Sequence, residues 1–211
     1  MFMVKDGVAY VLPSLAAGAL IVVYSNNPYL AALGALLIAA GLFFAYFFRN
    51  PSRRVARNDS HIISPADGTV LEVSPAPMGR GLAQGGQVIR IFLSVFNVHL
   101  QRAPVAGTIS NVEYRPGKFL PAMKPEAHVE NEQNIITMQS AKGDFEVRQI
   151  AGILARRVVS WVKAGQQVEQ GQHIGFIKFG SQVDLTVPAS AKIKVKTGDK
   201  VRGGLTVLAE Y

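Results

Sequence analysis

The sequence predicts a mainly β protein, a sandwich of quasi-twofold hairpin repeats preceded by an N-terminal hydrophobic helical hairpin. Three observations carry that expectation. Apolar residues run almost unbroken from Ala9 to Tyr24 and from Tyr29 to Phe48, separated by the turn-forming Ser25-Asn26-Asn27-Pro28. From Asp59 onward, short β-branched runs alternate with Gly, Pro and Asn about every eight to twelve residues, an all-β texture. Within that region, two pairs of segments echo each other.

The helical part comes first. Tyr29 to Phe48 holds 20 residues and no charge, and at about 1.5 Å rise per residue it matches a hydrocarbon core of about 30 Å. Ala9 to Tyr24 is shorter and contains Pro13, which fits a short span, a re-entrant arm or an interfacial helix. Two helices joined by a tight turn leave both flanks on one side. Arg49, Arg53, Arg54 and Arg57 follow the second stretch and Lys5 precedes the first. That bias favours the cytoplasmic face of the cell (inner) membrane, and each arginine near the surface adds about 1 kcal/mol of attraction to anionic headgroups. A cleaved signal peptide fits poorly, because the basic n-region is weak and a second full span follows at once. Residues 1–48 are thus expected as a membrane-anchoring hairpin, 49–58 as a basic linker and 59–211 as the folded β domain.

The net charge of +8 reads as membrane affinity. Nucleic acid is not an expected partner, since no basic helix or aromatic-interleaved patch accompanies the charge. The absence of cysteine excludes disulfides, thiolate catalysis and Cys-ligated metals, and no metal is expected.

The strand candidates are Thr69–Val73, Gln87–Leu93, Gly107–Tyr114, Asn134–Gln139, Phe145–Ile150, Arg157–Val162, His173–Ile177, Val183–Val187 and Ala191–Val195. Val162-Lys-Ala-Gly165-Gln-Gln-Val168-Glu-Gln-Gly171 recurs as Val195-Lys-Thr-Gly198-Asp-Lys-Val201-Arg-Gly-Gly204, and Pro65-Ala-Asp67-Gly68-Thr69-Val70 recurs as Pro104-Val-Ala106-Gly107-Thr108-Ile109. Paired hairpins of this kind are similar to the barrel-sandwich of biotinyl and lipoyl carrier domains. The carrier function itself is not expected, because no lysine occupies a tight hairpin between small apolar residues.

Three residues stand out against this frame. Asp67 occupies the place where the second copy has Ala106, His99 lies in a strand-like apolar run, and Ser181 follows Gly180 inside another. Glycine exposes its carbonyl to a neighbouring hydroxyl and tolerates the strained backbone such an attack requires. Asp67, His99 and Ser181 are the parts of an acid–base–nucleophile relay, in which histidine takes the hydroxyl proton and aspartate fixes the tautomer. Spacing alone does not bring them together.

Six linked motifs add a family resemblance. They are Phe48-Arg49-Asn50-Pro51, Ser64-Pro65-Ala66-Asp67-Gly68, Val95-Phe96-Asn97-Val98-His99 with Arg102-Ala103-Pro104, Asn131-Glu132-Gln133-Asn134, Gln149-Ile150-Ala151-Gly152 with Ala155-Arg156-Arg157, and Phe179-Gly180-Ser181. Together, from about Phe47 to Leu185, they resemble phosphatidylserine decarboxylase proenzymes of the short bacterial and archaeal-like class. The resemblance implies self-cleavage at Gly180-Ser181. Ser181 would form an ester with Gly180, and elimination and loss of ammonia would leave a covalent pyruvoyl cofactor derived from Ser181. The products would be a membrane-bound β chain (1–180) and an α chain (181–211), held as a heterodimer or a larger assembly of it.

It further implies His99 as base, Asp67 as its orienter, and a Schiff base between the pyruvoyl carbonyl and a phospholipid's serine amine. Carbon dioxide would leave and phosphatidylethanolamine would be released. Arg102, Arg156 and Arg157 are candidates for the lipid phosphate, with Asn131 and Glu132 near the headgroup. Longer members carry H-x-x-H where this chain has Phe96 and His99, which leaves His99, water or the substrate phosphate as proton donor. The alternatives are a decarboxylase of another serine-headed lipid, such as archaetidylserine, and a non-enzymatic membrane-anchored adaptor.

Overall fold

The computed structural model describes residues 3–76, 85–121, 123, 124, 126–153, 157–178 and 181–211. The chain divides into two compact units, Met1–Ser52 and Arg53–Tyr211.

The first unit is a pair of helices, α1 (Lys5–Tyr24) and α2 (Pro28–Phe47). Asn27 caps α2, its Oδ1 accepting from Tyr29 N at 2.9 Å and Leu30 N at 3.4 Å, and Pro28 supplies a first position whose missing N–H is not needed. Glycines let the helices approach closely: a Cβ on Gly18 would lie 2.7 Å from Gly34 O, and one on Gly41 would lie 2.6 Å from Leu15. Leu12, Leu20, Val23, Leu36 and Leu42 point outward and are exposed. The helix α1 starts before the apolar run and carries Pro13 within it, so it equals α2 at 20 residues. Both are long and apolar enough to cross a membrane.

The second unit is mainly β. Its strands are β1 (His61–Ile63), β2 (Gly68–Pro75), β3 (Gly86–Leu93), β4 (Leu100–Arg102), β5 (Gly107–Arg115), β6 (Gln133–Ser140), β7 (Gly143–Ala151), β8 (Arg157–Ser160), β9 (Gln167–Val168), β10 (His173–Lys178), β11 (Ser181–Pro188), β12 (Lys192–Ile193), β13 (Lys200–Val201) and β14 (Val207–Glu210), with a short α3 (Ala127–Glu130). A curled sheet runs in the order β13-β2-β3-β11-β7-β6-β5-β9, and two three-stranded sheets, β1-β14-β12 and β4-β10-β8, complete the unit. Residues 53–58, read above as the end of the linker, are tied to this unit: Arg57 pairs with Glu169, and Asn58 N donates to Gln170 at 2.9 Å.

The sequence echoes are a structural twofold. Gly68 pairs with Val201 as Gly107 pairs with Val168. Ile63 N donates to Pro104 O at 3.1 Å, and Arg102 N donates to Pro65 O at 2.9 Å. Gly171 and Gly204, the last glycines of the two long repeats, turn the chain at φ 81° and 79°, a left-handed conformation that favours glycine.

Three-residue strands β1 and β4 escaped the sequence reading. All of β4 is buried, so it shows no alternation of apolar and polar residues. The expected strands Arg157–Val162 and Ala191–Val195 are shorter than predicted, ending at Ser160 and covering only Lys192–Ile193.

Central strands of the large sheet are buried on both faces. Ile89, Ile91, Val147, Val183 and Leu185 fill the main core. On the opposite face the register aligns Glu72, Arg90, Asp184 and Arg148 across four strands, with Arg148 also held by Glu146 at 2.6 Å. Alternating charges on neighbouring strands attract one another and offset part of the cost of burying them. Burial pushes the Asp184 carboxyl up to about 6 against the pull of Arg90 and Arg148. Because the folded chain binds this proton more tightly than the unfolded one, stability attributable to Asp184 falls as pH rises from about 4 through about 6. Asp184→Asn is therefore expected to raise the melting temperature at pH 7.5 relative to the parent and to shrink that difference at pH 4, in paired thermal scans.

Candidate active site

One end of the large sheet gathers most of the predicted site. Strands β2 and β11 both run antiparallel to β3, so their starting residues share an end. Thr69 and Gln182 pair with Phe92 from opposite sides, which sets them two strand spacings, about 10 Å, apart. Asp67 lies two residues before the one and Ser181 one residue before the other. The end of β7 contributes Ala151, which pairs with Ser181, and Ala151 N donates to Glu132 O at 2.9 Å.

Ser181 opens β11, is fully buried, and its Oγ has no hydrogen-bond partner among the described residues. A buried hydroxyl left unpaired costs about 1–3 kcal/mol, an expense that chemistry can explain and packing does not. Gly180, its partner in the expected cleavage, lies outside the described residues, as does Arg156.

His99 is fully buried, and its carbonyl accepts from Ile177 N at 3.2 Å, four residues before Ser181. Its Nδ1 is 3.0 Å from Asn97 O. A carbonyl can only accept, so Nδ1 carries the proton of the neutral ring and Nε2 is left as the basic nitrogen. Asn97 is itself fixed, Oδ1 accepting from Ser94 N at 2.9 Å and Ser94 Oγ at 2.8 Å.

A buried chain of amides supports this turn. Asn134 Nδ2 donates to Gln149 Oε1 at 2.7 Å, Gln149 Nε2 to Gln101 Oε1 at 2.8 Å, and Gln101 Nε2 to His99 O at 2.8 Å. Gly175 makes room for it, since a Cβ there would lie 2.5 Å from Gln149 Nε2.

Asp67 is engaged elsewhere. Its carboxylate accepts from Arg53 at 2.5 and 2.7 Å and from Gly203 N at 2.8 Å. In this structure the tautomer-fixing contact drawn for Asp67 in the relay is made by the Asn97 carbonyl. Phe96, three residues before His99, is exposed.

The residues expected to bind substrate separate. Glu132 and Arg157 line a cavity of about 650 Å³ with Tyr114, Val158, Val159 and Ser160, and Glu132 Oε1 accepts from Val158 N at 3.3 Å. Arg102 lines a different cavity, of about 280 Å³, with Arg53 and Arg57. Asn131 lines neither; its side chain clasps Leu120 N and O at 2.8 Å each and Ala151 O at 2.7 Å. The sequence reading missed Arg53, Asn97, Gln101 and Gln149 as site residues. A glutamine inside an apolar strand, such as Gln149 beside Ile150 and Ala151, was the available signal.

The sequence that builds this β unit is similar to proenzymes of one class of decarboxylase. The sequence model described as Phosphatidylserine decarboxylase matches residues 40–209. A phosphatidylserine decarboxylase proenzyme of Carboxydothermus hydrogenoformans is 44% identical over 177 residues, 83% of each chain. One of Syntrophus aciditrophicus is 34% identical over 211 residues, all of this chain and 98% of its own. A Methanosarcina barkeri protein named, provisionally, an archaetidylserine decarboxylase proenzyme is 39% identical over 184 residues, 87% of this chain and 85% of its own. The chain belongs to the phosphatidylserine decarboxylase family, a family of decarboxylase proenzymes.

Removing the middle of the amide chain tests its hold on His99. Gln149→Leu strands the donor of Asn134 and the acceptor of Gln101, at about 1–3 kcal/mol each. The full-length protein in detergent should melt several degrees lower, and wild-type melting would mean that the chain of amides contributes nothing.

Proposed function

We propose that this chain cuts itself between Gly180 and Ser181 and then decarboxylates phosphatidylserine to phosphatidylethanolamine and carbon dioxide. The observation that carries the reading is the buried, unpartnered Ser181 Oγ at the start of β11, beside the segment that bears His99. His99, with Nδ1 held by Asn97 O, accepts the Ser181 hydroxyl proton at Nε2. Oγ attacks the Gly180 carbonyl, and the amide becomes an ester as the Ser181 nitrogen takes up a proton. Loss of the Cα proton then expels Gly180 as a carboxylate, giving chains 1–180 and 181–211. Water replaces the nitrogen of the dehydrated residue, ammonia leaves, and a pyruvoyl group remains.

A carbonyl at this position fits its surroundings, because the site is buried and the Ser181 side chain has no hydrogen-bond partner among the described residues. When formed, the pyruvoyl group supplies an electron sink for the pair released with carbon dioxide. The protein's part is to bind and orient. Arg157 suits the lipid phosphate by a charge-assisted fork, and Glu132, in the same cavity, suits the serine ammonium. Asp67 is proposed as the group that steadies a protonated His99 once Arg53 yields it. The apolar helices and the arginines after them support an anchor in the inner membrane with the β unit on the cytoplasmic side.

The serine headgroup is common to ester and ether lipids, and the likeness to the Methanosarcina barkeri protein makes archaetidylserine a second substrate to assay.

Intact mass spectrometry tests the reading. The wild type should give two chains divided at 180/181, while Ser181→Ala should remain one chain of 22.7 kDa without decarboxylase activity. Two chains from that variant would place the cut elsewhere. His99→Ala should slow cleavage about 10²–10⁴-fold, the usual worth of a general base; processing at the wild-type rate would remove His99 from the role.

A further inference from the structure

The cavity bounded by Arg53, Arg57, Arg102, Glu169, Gln170 and Gly171, about 280 Å³ in volume, has no place in the reaction above. The geometry points to an anion site there, built around Arg102, that takes a phosphate group other than that of the lipid being decarboxylated. That distinction rests on the proposed seating of the substrate against Arg157 and Glu132.

Charge is the first argument. Arg57 is paired with Glu169 at the exposed rim, and Arg53 with Asp67 deeper in. Arg102 is only 8% exposed and has no carboxylate partner among the described residues. Its side chain makes one hydrogen bond among the described residues, from Nη1 to Gly171 O at 2.9 Å, leaving the other donors of the fork without a partner there. An uncompensated buried cation is strongly unfavourable, and a guanidinium presenting paired N–H groups matches a phosphate's oxygens.

The second argument is independent. His173, the register partner of Arg102, has a buried Nε2 with no hydrogen-bond partner among the described residues. Its ring is pushed down to about 4 by burial first, then by Arg102 and Arg53. Arg102 is likewise lowered from its ordinary value, by burial and then by Arg53. Both groups feel the positive charge of their arginine neighbours, which Asp67 offsets only in part for Arg102.

The third argument is position. Arg102 pairs with His173 at one end of β10, and Arg157 pairs with Lys178 at the other. Five residues of strand span about 16 Å, and the two arginines line separate cavities. The backbone prepares the space as well: a Cβ on Gly171 would lie 2.5 Å from Val55, and one on Gly204 would lie 2.9 Å from Arg102 Cδ.

Inorganic phosphate and an anionic lipid headgroup present the same chemistry, and two arms separate them. The full-length Ser181→Ala chain, in phosphatidylcholine nanodiscs, is titrated with sodium phosphate against sodium chloride of equal ionic strength, and melting is recorded. The same chain is compared in nanodiscs with and without phosphatidylglycerol. Saturable stabilisation by phosphate, weakened at least tenfold in Arg102→Gln and changed less than twofold in Arg157→Gln, identifies free phosphate as the ligand. Stabilisation by phosphatidylglycerol alone, with the same dependence on Arg102, identifies a headgroup. Should Arg102→Gln fail to fold, histidine NMR of the Ser181→Ala chain decides, because a bound anion must raise the His173 titration point. No Arg102-dependent stabilisation in either arm, or a His173 titration unmoved by both ligands, overturns the proposal. Because the assay uses uncut protein, its failure leaves the self-cleavage reading untouched, and a failure of self-cleavage leaves the anion site standing.

Discussion

The pairing of β11 between β3 and β7 is the constraint on which the site depends. Val183, Leu185 and Val187 enter the main core, while Gln182, Asp184 and Thr186 face the opposite, polar side and are also buried. A slip of one residue would exchange these two sets and bury a carboxylate in hydrocarbon. The register is further pinned by Arg90 and Arg148, which flank Asp184 from the two neighbouring strands. With both faces specified, the start of the strand has one possible position, and Ser181 is held against Leu93 and Ala151 without freedom to find a partner for its hydroxyl.

Around that strand the protein uses one backbone frame twice and puts the chemistry into one copy. Ile62 and Ile63 of β1 correspond to Gln101 and Arg102 of β4, and the two halves exchange reciprocal hydrogen bonds through Pro65 O and Pro104 O. Where the first half needs only apolar filling, the second carries a glutamine that supports the His99 carbonyl and an arginine that faces a cavity. Asp67 against Ala106 is the complementary difference. Symmetric packing supplies rigidity, and departures from symmetry supply the polar groups that packing alone would exclude.

Much of this was readable from local pattern. The repeat glycines, the hairpin turn capped by Asn27 and most long strands follow from turn chemistry and alternation, which act over a few residues. The short strands β1 and β4 were not readable, because every β4 residue is buried and no period remains. Pro13 suggested a shortened first helix, yet α1 runs its full 20 residues; a proline removes one donor, and Ser14 Oγ bonds Tyr10 O at 2.7 Å in the same turn. Arg53 was read with its neighbours as a basic flank, and its contacts with Asp67 and Gly203 O distinguish it from Arg54.

The sequence by itself determined the class of fold, the apolar hairpin, the internal repeat and the identity of the residues with chemical capacity, since each is a property of composition or short-range spacing. Only the tertiary structure decided which of those residues meet. It set Ser181 beside the His99 segment, engaged Asp67 with Arg53, gave the His99 tautomer to the Asn97 carbonyl, and divided Arg102 from Arg157 by the length of β10. The physical reason is that such meetings are made by strand register and crossover. These couple residues more than a hundred positions apart, as Asp67 is coupled to Gly203, and leave no mark on the pattern of either neighbourhood alone.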